Sequence, residues 1–504
     1  MSKPLPVKTP LAGTLRLRQT SGGPAHYAKM NENTHQRLRA KRLLIPAVWL
    51  LVLCIVACSP FKPPSRTDLD RDLAAGFSLY NGTAVPEQNW WRSFGDPELD
   101  RLVDSALAGN LSIREAWARL KQVRALAVQA GAERYPDLTG TADGLIGRQK
   151  YSGRSSHEFR DARLGLVTRY EVDLWGRVEA RQRAAALRAD ASLLDLHTAA
   201  ISVAAEVAAR WVEIISQRAQ KRLLEEQLRI NRTLLELVQL RFNMAMVSAL
   251  DVFQQKQVVE NVKAEIPLVA EREELLRHQL AVLLGRPPRS ALGLERSTLP
   301  EAPPLPPTGV PADLLSNRPD VRAAGVRLRA ADWQIAEARA NRLPRLSLTG
   351  SARYGEGELD VLFDNWLLTL AGNLTAPLLD GGRRAAEVDR TRALADENLA
   401  RYRDTVLNAV REVEDALTSE ARQREHIAGL EKVIATARSA LQEAGVRYRN
   451  GLNDYLPVLT QLLTVQGLER TLIQRRAALL IARIQLYRAL GGTWPRQRLD
   501  AGAP

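Results

Sequence analysis

Residues 163–176 read RLGLVTRYEVDLWG, and they are followed by 65 residues, 177–241, that contain neither Gly nor Pro. Apolar and polar residues alternate along the first part, which is the period of a strand with two different faces. One face carries Leu164, Leu166, Thr168, Tyr170, Val172 and Leu174. The stretch therefore predicts a strand that ends at a turn and leads directly into a very long helix.

The helix predicted at 177–241 is too long for an ordinary globular protein. At 1.5 Å per residue it would reach about 98 Å, several times the usual length. Its apolar positions keep helical spacing and include many small residues, as in Ile201, Ala204, Ala205, Ala208, Trp211, Val212 and Ile215. Such a stripe predicts close packing against other helices, and a long coiled coil with a purely structural role stays open.

The chain repeats itself with a period of about 206 residues. The matching pairs are Arg241-Phe242 with Arg447-Tyr448, Leu284-Gly285 with Leu490-Gly491, and Gly176 with Gly382. Upstream, 133–139 matches 341–347 at an offset of 208. Repeats of this kind predict two copies of one structural unit.

Each predicted repeat has the same order of elements. The first repeat covers 58–298, with helices at 97–134, 177–241 and 249–285 and strands at 138–148 and 163–174. A Pro-rich linker, 299–311, leads to the second repeat at 312–494, with helices at 319–342, 383–450 and 456–490 and strands at 345–354 and 366–378. Residues 495–504 are a C-terminal tail. The fold class is mainly α with a β part.

The four strands have the length and alternation of tilted strands that cross a bilayer, apolar outward and polar toward a lumen. An open sheet edge is not tolerated in lipid. Four strands cannot close a barrel, so several chains must combine.

The N-terminus carries the pattern of a secretion signal. Arg37, Arg39, Lys41 and Arg42 precede the 15-residue apolar stretch 43–57, which is short for a bilayer span. The run Ile55-Val56-Ala57-Cys58 resembles the lipobox of bacterial lipoproteins. That resemblance makes 1–57 an N-terminal extension and signal peptide and puts a diacylglyceryl group and an acyl chain on Cys58. Ser59 favours sorting to the outer membrane, Met30 is an alternative start, and an uncleaved anchor or buried helix stays open.

Composition argues against several other classes of protein. The net charge is +14, but four Lys and five Arg against one Glu put +8 of it in the first 57 residues. The sequence lacks a basic stripe interleaved with aromatic residues, the pattern that would indicate nucleic-acid binding. Cys54 and Cys58 are the two cysteines, and the histidines show no metal-ligand spacing. We expect no catalytic residues, no metal and no cofactor beyond the covalent lipid.

Several sequence blocks together resemble the outer-membrane efflux factors, the TolC-like or nodulation-factor-exporter family of tripartite resistance-nodulation-division systems. They are WWRSFGDPEL (90–99), NRPDVR (317–322), LLGRPP (283–288) and Arg447-Tyr448 before Gly451. The resemblance spans about 58–494. It implies a homotrimer with a shared 12-stranded β-barrel and a helical tunnel through the periplasm. It also implies a cell outer membrane location and passive transport of small molecules from an inner-membrane pump and a periplasmic adaptor.

The same resemblance suggests site residues at the two helical tips. The family places an apolar ring where Leu456 stands, and a carboxylate and an Arg are common in relatives at the positions of Thr460 and Leu463. The gate would then comprise Leu456, Asp454 and Thr460 and rest more on a hydrophobic constriction. The predicted adaptor contacts are Arg241, Ser248 and Arg447. The first tip lacks the Gly often found there, which leaves its turn open.

Two alternative functions remain from the sequence alone. A lipid-anchored periplasmic coiled-coil adaptor or scaffold would share the signal and the long hairpins. An outer-membrane duct for type I protein secretion would share the whole architecture.

Overall fold

The structure is a computed structural model that describes residues 61–63, 74, 76–79, 89–153, 155–356 and 362–492. Cys58, the signal segment and the C-terminal tail lie outside these residues. The account below concerns the unit that begins at Phe61. None of the helices in the described ranges has a stretch long and apolar enough to cross a membrane.

The described chain is built from two equivalent halves. After a 3-10 turn at Trp90–Phe94, the first half contains α1 (Pro97–Gly109), α2 (Leu111–Ala132), β1 (Asp137–Gln149), β2 (His157–Val172), α3 (Arg177–Asn243) and α4 (Ala249–Leu283). The second contains α5 (Asp313–Asn317), α6 (Pro319–Ala340), β3 (Arg345–Glu356), β4 (Trp366–Thr375), α7 (Arg383–Arg449) and α8 (Tyr455–Ala489). Both long helices have 67 residues and both return helices have 35.

The prediction of one helix over 97–134 is wrong, because the chain forms two helices that meet at Asn110. The Asn110 side chain accepts hydrogen bonds from the backbone N–H groups of Ser112 and Ile113, at 2.9 and 3.2 Å. An Asn in this position starts a helix. Its amide also donates to the carbonyl of Leu283 at 2.8 Å, so the break fixes α2 against the end of α4.

A close backbone approach explains the glycine that ends α4. A Cβ on Gly285 would lie 2.1 Å from the carbonyl oxygen of Gly109, and Gly285 has a φ of +70°. Both facts require a residue without a side chain. The ends of α1 and α4 are thereby held in direct contact.

The strands form one antiparallel sheet in the order β1-β2-β3-β4. β2 begins at His157, six residues before the predicted start, because its ladder with β1 continues to the pair Gln149–His157. Alternation in sequence marks the amphipathic part of a strand and not the end of its hydrogen bonding. β4 ends at Thr375 and not at 378, since Pro377 has no N–H for the ladder.

The sheet has one apolar and one polar face. In the ladder Leu166 lies between Gly140 and Ala352, and Ala352 is opposite Leu368. The exposed apolar side chains of this face are Leu138, Ile146, Leu164, Leu166, Leu348, Tyr354, Trp366, Leu368, Leu370 and Leu374. On the other face the hydroxyls of Ser351 and Thr369 form a hydrogen bond of 2.5 Å. Lipid on one side and water on the other would suit this sheet.

The main core joins the two halves at the block 90–99. Trp90 stacks on Tyr487 of α8 with ring centroids 5.2 Å apart. Glu98 accepts a hydrogen bond of 2.8 Å from the indole N–H of Trp211 in α3. This block of the sequence resemblance is therefore a packing element.

A buried ion pair lies under the Pro-rich linker. Arg483 of α8 and Glu420 of α7 are both 0% exposed, and they are 2.6 Å apart. Arg483 also donates to the carbonyl of Pro303 in the linker, and Arg424 donates to Glu420 from the helix surface at 2.7 Å. The pair fastens both helices of the second hairpin to the linker.

Candidate gate at the two helical tips

The predicted gate residues lie on the outer face at the start of α8. Tyr455, Val458 and Leu459 are buried against the neighbouring helices, whereas Leu456 is 56% exposed and Thr460 is exposed. Leu463, also exposed, continues this face at helical spacing. Leu456 is therefore not a core residue of its own chain. It has an apolar surface that another molecule or another copy can cover.

Asp454 is held differently from its counterpart in the first repeat. Ser248 forms a capping box with Asp251, in which each side chain accepts from the backbone N–H of the other residue. Asp454 occupies the same position before α8 but makes no side-chain cap. Pro457 stands where Asp251 would be and has no N–H to offer. The Asp454 carboxylate is consequently exposed at the tip.

Ser248 itself is engaged within the chain. Its hydroxyl donates to the Asp251 carboxylate at 2.8 Å and accepts from the Asp251 N–H at 3.3 Å. It therefore fixes the entry of the chain into α4. A predicted adaptor contact through Ser248 would depend on the shape of this turn.

The two tips have the same turn despite the missing glycine. Met246 donates to the carbonyl of Arg241, and Leu452 donates to that of Arg447, both at 2.9 Å. Ala245 has a φ of +59° where Gly451 has +70°. The helix-end hydrogen bonds of this turn dictate a left-handed residue, so alanine adopts a conformation that glycine adopts more easily.

We expect Ala245→Gly to stabilise the first tip by about 1 kcal/mol. The left-handed conformation costs a non-glycine residue about 1–2 kcal/mol, and the greater freedom of Gly in the unfolded chain offsets about 0.4–1 kcal/mol. Hydrogen exchange of the backbone amides in this turn measures the change. Gly451→Ala is the matched control, since a Cβ there meets nothing within 4 Å, and it should speed exchange at the second tip. Slower exchange in both variants would contradict the argument.

Arg241 connects the two helical hairpins, which are formed by α3 with α4 and by α7 with α8. Its guanidinium donates to the backbone carbonyls of Tyr448 and Arg449, both at 3.2 Å. It also lies 4.4 Å from the centre of the Tyr448 ring. A cation at the carbonyl end of a helix and over an aromatic ring is stabilised twice. The structure thus places this predicted adaptor contact between the two hairpins.

Arg447 has the equivalent position at the second tip but a different environment. It is exposed, and its Nε donates to the side-chain oxygen of Asn453 at 3.1 Å. Arg447 and Ser248 are exposed, whereas Arg241 is partly buried. The structure brings Arg241 and Arg447 to the same end of the hairpins as Leu456.

A buried amide network lies behind the tips, and sequence reasoning missed it. Tyr455 donates to Gln255 at 2.6 Å, and Gln255 donates to the carbonyl of Asn231 at 2.8 Å. Asn231 and Gln466 exchange two hydrogen bonds of 3.3 Å. Burial raises the pKa of the Tyr455 hydroxyl above its ordinary value, which keeps it a donor. The signal for this network was Asn and Gln at apolar-stripe positions of three helices.

Both halves of the chain match the same protein family. The sequence profile described as "Outer membrane efflux protein" matches residues 102–286 and again 310–492. The chain belongs to the outer membrane efflux protein family. The double match also confirms the predicted internal repeat.

Relatives of this efflux protein are similar over nearly their whole length. The pyoverdine export outer membrane protein OpmQ of Pseudomonas aeruginosa is 33% identical, with 90% of this chain and 97% of OpmQ covered. The toluene efflux pump outer membrane protein TtgI of Pseudomonas putida is 31% identical, with 82% and 88% covered. Among solved structures, the outer-membrane channel OprN gives a TM-score of 0.81 at 28% identity, covering 87% of this chain and 100% of OprN. VceC of Vibrio cholerae gives 0.75 at 28% identity, covering 81% and 100%.

These comparisons establish what kind of efflux protein this is. It has the TolC-like fold, mostly helical with a four-stranded antiparallel sheet, and it is an outer-membrane channel component of an efflux system. The predicted fold class, function and outer-membrane location are confirmed. The comparisons favour a channel over the coiled-coil adaptor that the sequence left open.

Proposed function

We propose that the chain is a passive duct, formed by three copies and anchored by lipid on Cys58. It would carry small molecules outward from a periplasmic adaptor and a resistance-nodulation-division pump. The observation that carries this proposal is the amphipathic sheet. Its apolar face is exposed, with Leu370 83% accessible, and within the described residues the outer edges of β1 and β4 have no strand partner. Such a sheet can remain in lipid only if other copies complete it.

The repeat itself suggests how the edges pair. β1 maps onto β3 at an offset of 208 and β2 onto β4 at 206, since the pairs Asp137–Arg169 and Arg345–Thr375 are equivalent. In one chain β2 pairs with β3, with Arg169 opposite Thr349. If β4 pairs with β1 of the next copy in the register that β2 has with β3, Thr375 lies opposite Thr141.

This register matches the two faces of the sheet. It places Leu370 opposite Ile146 and Leu374 opposite Ala142, all on the apolar face. Thr375 and Thr141 meet on the polar face. A register shifted by one residue would set apolar residues against polar ones. The agreement supports closure of the barrel by pairing between copies.

The long hairpins would form the periplasmic part of the duct. A 67-residue helix spans about 100 Å, which suits a tunnel that reaches far from the membrane. The tips have exposed apolar side chains that an adaptor could cover: Met244, Met246, Leu250, Phe253 and Leu452. Arg241 would support this docking surface by joining the two hairpins, and Ser248 would do so by fixing the start of α4.

Closure of the duct would rest on Leu456. In a trimer, the face with Leu456, Thr460 and Leu463 would occur three times around one axis. Thr460 and Leu463 have no charge, so the constriction would exclude water by its apolar side chains. The exposed carboxylate of Asp454 would add the negative charge of this ring.

The proposed substrates are small molecules of the kind for which the relatives are named, namely pyoverdine for OpmQ and toluene for TtgI. Such a duct would open to whatever the pump delivers.

One experiment tests the trimer and the lipid together. Cys58→Ala is expressed behind an unrelated cleavable signal, and its location and mass are measured in mild detergent. We expect a trimer in the outer membrane, because the strands and not the lipid would hold it there, and loss of palmitate labelling relative to the parent. A soluble periplasmic product would overturn the barrel, and unchanged labelling would overturn the anchor.

A further inference from the structure

The chain makes one arginine contact between the hairpin of α3 and α4 and the hairpin of α7 and α8, although its repeat contains the residues for two. Arg241, at the end of α3, donates to the carbonyls of Tyr448 and Arg449 at the end of α7 and covers the Tyr448 ring. The period of 206 carries Arg241 to Arg447, Tyr448 to Phe242 and Arg449 to Asn243. The chain therefore contains a second set of the same groups.

The second set has the same backbone geometry as the first. The backbone carbonyl of each arginine accepts the hydrogen bond that closes its turn, from the N–H of Met246 or of Leu452, at 2.9 Å. The carbonyl of Tyr448 accepts from the N–H of Gly451 as well as from Arg241. The carbonyl of Phe242 accepts from the N–H groups of Met244 and Ala245, as the carbonyl of Tyr448 accepts from those of Asn450 and Gly451. It can therefore take the same additional donor. Arg447 and the end of α3 are thus prepared for the contact that Arg241 makes.

Within one chain this second contact is absent from the described residues. Tyr448 is 5% exposed under Arg241, whereas Phe242 is 44% exposed. Arg447 bonds through Nε to Asn453 of its own turn, and its two terminal nitrogens make no hydrogen bond or ion pair with the described residues. Each chain therefore has the donor, Arg447, and the acceptor groups around Phe242, but the two do not meet within the chain.

We infer that Arg447 lies on Phe242 of the neighbouring copy and donates to the carbonyls of Phe242 and Asn243 there. This rests on the proposed trimer. In a head-to-tail ring, the second repeat of one chain meets the first repeat of the next, as the first meets the second within a chain. Arg447 then becomes a residue of the boundary between copies. Six such arginine contacts, three within chains and three between them, would hold the tips together.

Paired cysteines test the inference. The natural cysteines are Cys54 and Cys58 alone, so new ones at the tips are distinguishable. The test pair is Arg447→Cys with Asn243→Cys, and the matched control is Arg241→Cys with Arg449→Cys. Purified trimers are treated with bifunctional methanethiosulfonates of graded length and run on denaturing gels without reductant.

The control pair calibrates the reagent. It should close within one chain, with loss of free thiols and no gain in mass. The reagent length that closes it should link the test pair into covalent dimers and trimers. No ladder at that length would overturn the inference, as would a ladder from Arg447→Cys alone, which would put Arg447 at the axis. Preferential linkage of Arg447→Cys to a co-purified adaptor would also overturn it.

Light scattering in detergent separates this outcome from failure of the proposed function. A trimer that gives no ladder with the test pair contradicts the Arg447 contact and leaves the trimeric duct standing. A monomer in the parent protein contradicts the trimer itself.

Discussion

Leu370→Arg is expected to prevent stable insertion of the protein into the outer membrane. Leu370 lies near the middle of β4 on the apolar face and is 83% exposed. An arginine facing lipid near the middle of the bilayer costs a membrane β-sheet about 2–4 kcal/mol, and a trimer would carry it three times. The amount of heat-resistant trimer in outer-membrane fractions measures the effect, and we expect a loss of more than tenfold.

The neighbouring residue supplies the matched control. Thr369 precedes Leu370 on the same strand and points to the polar face, where it bonds to Ser351. Thr369→Arg adds the same charge at the same depth, and we expect trimer yield close to that of the parent. Equal losses in the two variants would mean that the apolar face does not contact lipid.

Arg483→Met is expected to lower the free energy of unfolding by about 3–5 kcal/mol, the cost of leaving one partner of a buried ion pair without the other. Glu420 is 0% exposed and would keep only Arg424, which approaches it from the surface. The linker carbonyl of Pro303 would also lose its donor. Thermal unfolding followed by helical circular dichroism measures the loss as a lower Tm.

A second ion pair between the same two helices provides the comparison. Arg476 and Glu431 are 2.7 Å apart, but both are about half exposed. Arg476→Met should therefore change stability by less than about 1 kcal/mol. The double variant Glu420→Leu with Arg483→Met removes both buried charges and should recover much of the loss. Equal effects of Arg483→Met and Arg476→Met would show that burial of the pair contributes little.

The sequence predicts the elements whose signal is periodic. Alternation at 163–174 and the absence of Gly and Pro over 177–241 are local properties, and they lead directly to β2 and α3. The repeat then transfers each conclusion to the second half. The break at Asn110 escapes this reasoning, because a residue within a helical pattern becomes a cap only when a partner such as Leu283 holds it.

The candidate site is predictable in position but not in detail. Leu456 and Arg447 could be placed at a tip, because the turn signals around Gly451 are visible in the sequence. The Arg241–Tyr448 contact joins residues 207 positions apart, and the sequence around neither residue predicts the other as its partner. The same holds for Glu420 with Arg483. Long-range polar contacts depend on packing that no local pattern encodes.

The amide network behind the tips has a consequence for how the duct can be controlled. Asn231 and Gln466 donate to and accept from each other without any ionisable group, and Tyr455 keeps its proton. Such links do not titrate, and they are not screened by dissolved ions as charge pairs are. This amide part of the coupling between the hairpins is therefore indifferent to acidity and ionic strength. Separation of this network would need a mechanical stimulus, such as contact with a docked protein.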